Sequence, residues 1–177
     1  MIRTSSHVIP ALLVICLCSF GSQPEETKKN LKRSATLRGV ELSVEIPPER
    51  PAGYPYPLHM AVTNQGSDLV TFVVVAKYKF FRLALQDGAG AEVPLTRFGK
   101  RLVAEPARRK RLTPVKPGIS IGHLYDLARI FDMSEAGNYV LTVTNRVLFD
   151  SGPETLQVEK IPLVIREPTD KEYEAWK

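Results

Sequence analysis

Residues 123–143 read HLYDLARIFDMSEAGNYVLTV, and how this stretch folds decides the rest. The residues up to Asp126 have the composition of a strand, and Ala128 to Met133 form one helical or 3₁₀ turn. Tyr139, Leu141 and Val143 then make the inward row of a second strand. Between the two strands lies a corner built from Asp132, Gly137 and Tyr139. Tyr139 is expected to be buried, with its hydroxyl folded back onto backbone near Asp132–Ala136. Gly137 is expected to supply a turn conformation closed to residues with a Cβ. Strand, turn, corner and strand specify a β fold and carry no reaction of their own.

Moving outward, period-two alternation recurs. Val40, Leu42, Val44 and Ile46 face one way, and Leu58, Met60 and Val62 repeat the pattern before a turn at Asn64-Gln65-Gly66. Leu69 to Ala76 is apolar and rich in β-branched residues, as a central strand covered on both faces would be. Phe80 to Gln86 continues as a strand, and Asp87 to Gly90 turns it towards Val93 and Leu95. A strand is expected within Arg109–Val115, closed by Lys116-Pro117-Gly118, and another over Ile119–Leu127. In that last strand Ile121 and Leu124 cannot both point inward without a bulge. Leu156 and Val158 are out of phase with Ile161, Leu163 and Ile165, which calls for a bulge near Lys160. Pro162 places the final strand at an edge, or bonded on one side only. Pro47 to Pro57 holds five prolines and two tyrosines, Tyr54 and Tyr56, and reads as a stiff crossover or a recognition loop. The expected architecture is all-β: an immunoglobulin-like antiparallel sandwich of seven to nine strands, with one short helical turn near 128–133.

The chain ends read differently. Residues 1–21 combine Arg3, an apolar run from Val8 to Cys18 and small residues at Ser19 and Gly21, which is a signal peptide. Residues 22–38 are polar and lysine-rich, a flexible tether. The sandwich covers 39–167, and 168–177 is a tail that starts a helix with Thr169 as N-cap and Trp176 as its apolar anchor. Both cysteines of the 177-residue chain fall inside the signal peptide. The mature domain thus has no disulfide and must rely on its core. This places the protein in the periplasm or the medium of a bacterium rather than on an animal cell surface.

Several motifs together resemble immunoglobulin-like domains of exported bacterial proteins. They are the strand end Val62-Thr-Asn64, the turn Lys116-Pro-Gly118, Tyr125-Asp-Leu127 leading to Phe131-Asp132, and Gly137-x-Tyr139. The layout is also similar to the immunoglobulin-like proteinase inhibitors of bacilli. In such folds a tyrosine at the start of the F strand pins the E–F corner. The cysteine pair and core tryptophan of antibody domains are missing, and Leu141 stands where the second cysteine would fall. The resemblance implies architecture, and function does not follow from it.

Searching for chemistry returns little. His59 and His123 are the histidines left after signal cleavage, with no third ligand at a metal-binding spacing. Asp126, Asp132 and Glu135 fit no calcium-loop spacing and read as caps and turn formers. No nucleophile elbow or phosphate-binding glycine loop occurs. No catalytic residue, metal or cofactor is therefore expected, and the protein reads as a non-enzymatic binding or accessory module. Two alternatives stand beside this: a proteinase inhibitor using Pro47–Pro57, and a hydrolase whose carboxylates meet only in space.

Charge supplies the one candidate surface. Losing Arg3 takes the cations from 24 to 23 against 19 acids, a mature charge of +4. Arg97, Lys100, Arg101, Arg108, Arg109, Lys110, Arg111 and Lys116 oppose a single acid, Glu105, so this window alone is +7 and the remainder is −3. Such concentration reads either as a solvated loop guarding an edge strand or as a patch for an anionic polysaccharide, an envelope component or a protein. Nucleic acid fits poorly, because Phe98 is the one aromatic there to stack on a base.

Overall fold

Alternating apolar residues do here what the pleat requires: they put one row of each strand into a shared interior and the other into solvent. Residues 29–74, 81–104 and 111–175 are described by a computed structural model. The elements in chain order are β1 (Leu31–Leu37), β2 (Val40–Ile46), β3 (Glu49–Pro51), β4 (Pro57–Asn64), β5 (Val70–Val74), β6 (Phe81–Asp87) and α1 (Arg97–Ala104). There follow β7 (Arg111–Val115), β8 (Ser120–Asp126), α2 (Leu127–Ile130), β9 (Gly137–Phe149), β10 (Gly152–Arg166) and α3 (Asp170–Ala175).

These strands form two sheets. One runs β1-β2-β4-β8 and is antiparallel throughout. The other runs β3-β10-β9-β5-β7, with β6 pairing β9 further along the edge that β5 shares. The three-residue β3 lies parallel to β10. The chain changes sheet on either side of β3, between β4 and β5, and on either side of β8. The neighbours β2-β4-β8 and β10-β9-β5 therefore reproduce the A-B-E and G-F-C orders of an immunoglobulin-like sandwich.

The interior is filled from both sheets. Val40, Leu42, Val44, Ile46, Leu58, Met60 and Val62 are all buried, and they face Leu141, Val143, Ile161 and Leu163. Each such side chain contributes on the order of 1.5–3 kcal/mol when removed from water. Asn64 is the buried polar residue at the end of β4. Its Nδ2 donates to Asp68 O and Val115 O, and its Oδ1 accepts from Gly66 N, so burial leaves its amide satisfied.

The corner after α2 is a tyrosine corner. Tyr139 is buried and its hydroxyl donates to Glu135 O at 2.8 Å. Asp132 contributes by accepting from Ser134 Oγ and by donating its N–H to Pro94 O. Gly137 is a correction: its φ is not positive, and a Cβ there would meet nothing closer than Tyr139 Cε2 at 3.8 Å. It simply opens β9, and the corner does not depend on a left-handed residue at that position.

The β9–β10 register shifts between Val158 and Ile161, and Lys160 has φ +54, which is the bulge. No bulge is needed in β8, because Leu124 points outward with 70% exposure while Tyr125 is buried. Pro162 pairs with Val140 on β9, and β3 joins the other side of β10 only from Val164 on. Among the described residues ten strands are present where seven to nine were expected. The additions are β1, inside the segment read as a tether over 22–38, and β3, inside the proline crossover. Among the described residues three helices replace the single turn expected near 128–133: α2 starts one residue earlier, at Leu127, and α1 falls within the basic window from Arg97 to Lys116. Thr169 caps α3 as expected, its Oγ1 accepting from Glu172 N while Glu172 Oε2 accepts from Thr169 N, a capping box. The signal peptide and Trp176 lie outside the described residues. Among the described residues no helix is long and apolar enough to cross a membrane.

Candidate functional site

Helix α1 is short and is held from both ends. Thr96 Oγ1 accepts from Gly99 N at 3.0 Å, and Thr96 O accepts from Lys100 N at 2.9 Å, so the first turn is capped. Phe98 and Leu102, one turn apart, are partly buried against the core. Gly99 faces α2 so closely that an added Cβ would lie 2.1 Å from Ile130 O. Only glycine permits that approach. Packing this face inward leaves Arg97, Lys100 and Arg101 exposed on the other.

Docking α1 onto α2 creates a groove of about 380 Å³ at the Pro57–Asp126 end of the sandwich. Its floor and walls include Phe98 from α1, Arg129 and Ile130 from α2, and Leu124, Tyr125 and Asp126 from β8. Arg50, Pro55 and Pro57 close the opposite wall. The Arg129 guanidinium lies 4.7 Å over the Phe98 ring, a cation–π contact that holds the charge at the groove surface. Arg50 donates through Nε to Pro55 O at 3.2 Å, which fixes its direction. Asp126 is the carboxylate among the described lining residues. Its Oδ1 accepts from Tyr56 N at 2.9 Å and from Ala128 N at 3.1 Å, so it caps α2 and anchors the start of β4.

Among the described residues three cations elsewhere are matched, whereas others, such as Arg33, Arg82, Lys116 and Arg146, make no ion pair. Lys32 pairs with Glu45, Arg38 with Glu154, and Arg166 with both Glu49 and Glu172. Among the described residues, Arg50, Arg97, Lys100, Arg101 and Arg129 make no ion pair. The groove lining thus carries two arginines against the one carboxylate of Asp126, a net positive charge.

The basic window is split by the fold. Arg97, Lys100 and Arg101 come together on α1 beside the groove. Lys116 is exposed in the turn after β7, where Gly118 N donates to Asn64 O. That is the far end of β4 from Pro57, roughly 23 Å away at the rise of a strand. Arg111 opens β7, and Arg108, Arg109 and Lys110 lie outside the described residues. Arg50 and Arg129, which bracket the groove, were not among the sequence candidates. Nothing in their 79-residue separation signals that they meet; only the folded position of the proline segment against α2 does.

His123 packs edge-on against Phe81 and Tyr125, with ring centroids 5.9 and 6.1 Å away. His59 lies on the outer face of its sheet, paired in register with Glu45 and Leu124. Among the described residues no three His, Cys, Asp or Glu side chains gather where they would hold a metal. Burial pushes the phenol of Tyr139 above its ordinary range, and nearby Glu135 adds to this.

No protein-family model matches the chain, and no curated protein is similar to it. Among solved structures it is similar to the Northeast Structural Genomics Consortium target SoR45, at 10% identity over 80% of this chain and 85% of that one, with a TM-score of 0.37. A likeness at that score carries no argument about fold detail or function.

Proposed function

We propose that the protein is an exported, non-enzymatic β-sandwich that binds an anionic partner in the groove between Arg50 and Arg129. Arg97, Lys100 and Arg101 on α1 extend the positive field that draws the partner in. The observation that carries this reading is that Arg50 and Arg129 line one partly apolar groove, with Arg97, Lys100 and Arg101 on the adjoining helix, and none of the five is in an ion pair among the described residues. Guanidinium groups fixed by a ring and a carbonyl bind carboxylate or sulfate oxygens with little further ordering. The tyrosines of Pro47–Pro57 support it over the inhibitor reading. Tyr56 is buried with its hydroxyl on Pro47 O, and Tyr54 donates to Glu172 O, so the segment is tied inward as a groove wall. The engagement of Asp126 in capping supports binding over hydrolysis, since a free carboxylate is what acid–base work requires.

Retention on a heparin column as salt is raised tests the reading. Replacing Arg50, Arg97, Lys100, Arg101 and Arg129 with serine should lower the elution salt markedly, while Lys116→Ser, at the opposite end, should change it little. Unchanged elution of the fivefold variant would sink the proposal.

A further inference from the structure

We infer that the occupant of the groove is an acidic polypeptide segment that adds to the free edge of β8 as an extended strand. This rests on the reading that the groove binds an anionic partner. In its sheet, β8 is bonded to β4 on one side, and among the described residues no strand pairs with the other. Two backbone hydrogen bonds set the direction of its polar groups. Leu127 N donates to Tyr56 O and Asn64 N donates to Ile119 O, while the β4–β8 register is continuous between them. Bonding residues alternate in an antiparallel pair, so 121, 123 and 125 also face β4. The N–H and C=O groups of Ser120, Gly122 and Leu124 therefore point to the open side.

The other edges are guarded. β1 presents Lys32 and Arg33 to solvent, β7 carries Pro114, β3 is three residues long and ends in Pro51, and the outer side of β6 bonds the segment that follows it, Val93 N donating to Leu85 O and Asp87 N to Ala91 O. β8 has none of these devices and instead exposes Leu124 at 70%. Leu124 also lines the groove, so a strand laid along this edge would carry its own outward side chains past Leu124 towards Phe98, Arg129 and Arg50. An apolar residue would meet Leu124 and Phe98, and a carboxylate beside it would meet the guanidinium groups. Main-chain bonds supply affinity in this mode and side-chain pockets supply specificity.

Charge argues against a second copy of this chain as the occupant. Pairing two β8 edges about a twofold axis would bring two sets of unpaired arginines towards each other. A polysaccharide would satisfy the cations and leave the edge amides and carbonyls unused.

The experiment uses a fluorescein-labelled octapeptide of four Val-Glu repeats and a twin N-methylated at alternate residues, which keeps charge and side chains but cannot pair along one side. Fluorescence anisotropy with the mature protein should show saturable binding of the first, and binding of the twin at least about tenfold weaker, the worth of one or two lost hydrogen bonds. Amide exchange at Gly122 and Leu124 should slow when the first peptide is added. Leu124→Pro removes one outward donor without touching the β4 ladder, and should weaken the peptide by about tenfold. If that variant misfolds, the comparison of the two peptides on the unaltered protein still decides. Equal binding of both peptides overturns edge pairing and leaves the cationic groove standing. Heparin retention with no binding of either peptide overturns the inference in favour of a polysaccharide. A dimer seen by sedimentation and lost in Leu124→Pro also overturns it, assigning the edge to a second copy. Loss of both heparin and peptide binding would remove the groove reading itself.

Discussion

Helices α1 and α3 cover opposite stretches of the chain and are fastened by different physics. α1 is fixed by contact: Gly99 sits against Ile130 O, and Phe98 and Leu102 fill space beside the core. α3 buries no residue, and what holds it is charge. Arg166 forks onto Glu172 at 2.7 and 2.5 Å, Thr169 completes the capping box, and Tyr54 hydroxyl donates to Glu172 O. Hydrogen bonds from Arg166, then from the Thr169 backbone, pull the Glu172 carboxyl down to about 2. One fastening is indifferent to pH and salt because it is steric and apolar. The other is titratable and screened. The groove is built on the first kind, so its geometry should survive conditions that release α3.

The sharpest way to break this contrast is Gly99→Ala. In an exposed helix the change would stabilise by about 1 kcal/mol through propensity alone. Here the new methyl would collide with backbone that cannot rotate away, so the expected result is a loss of about 2 kcal/mol in denaturant unfolding, together with weaker heparin retention. A gain in stability would mean that α1 is not docked on α2. Next in size is Tyr139→Phe, which should cost about 1 kcal/mol, the net worth of one buried hydrogen bond, without altering retention, because the corner supports the sheets rather than the groove. Loss of retention in this variant would tie the two regions together and blur the contrast.

The smallest expected effect is local. The folded pKa of Glu172 lies below its ordinary 4.5, so its contribution is complete above about 4.5 and is lost as pH falls towards about 2. Amide exchange in α3 should accelerate across that window while α1 and the strands remain protected. Glu172→Gln should abolish the acid step and leave α3 exchanging fast at neutral pH. A step that persists in this variant would assign the titration to another group.

Much of this was legible in the residues. Strand phase follows from period-two patterning because a pleated backbone gives each side chain only two directions. Val40 to Ile46 and Leu58 to Val62 therefore announce their buried faces without any knowledge of partners. Tyr139 and Lys160 were readable for a related reason: a corner and a bulge are local solutions to a change of phase, visible within a few residues. Gly137 was misjudged because a glycine beside a turn does not say whether its freedom is used. Helix α1 was missed because eight residues interrupted by Gly99 are too few to be a stable helix on their own. Its stability comes from the Thr96 cap and from packing on α2.

What the chain alone could not decide is which distant residues share a surface. The run of cations from Arg97 to Lys116 looked like one patch, yet β4 separates Lys116 from α1 by its whole length, while Arg50 and Arg129 arrive from elsewhere to complete the groove. Likewise, that β8 can form a strand is written in its own residues, but its place at an open edge depends on the order β1-β2-β4-β8. Local sequence sets the conformations a segment can adopt and the face it must bury. Sheet order and helix docking come from burying all those faces at once, and they alone determine which charges and which unpaired backbone groups end up side by side.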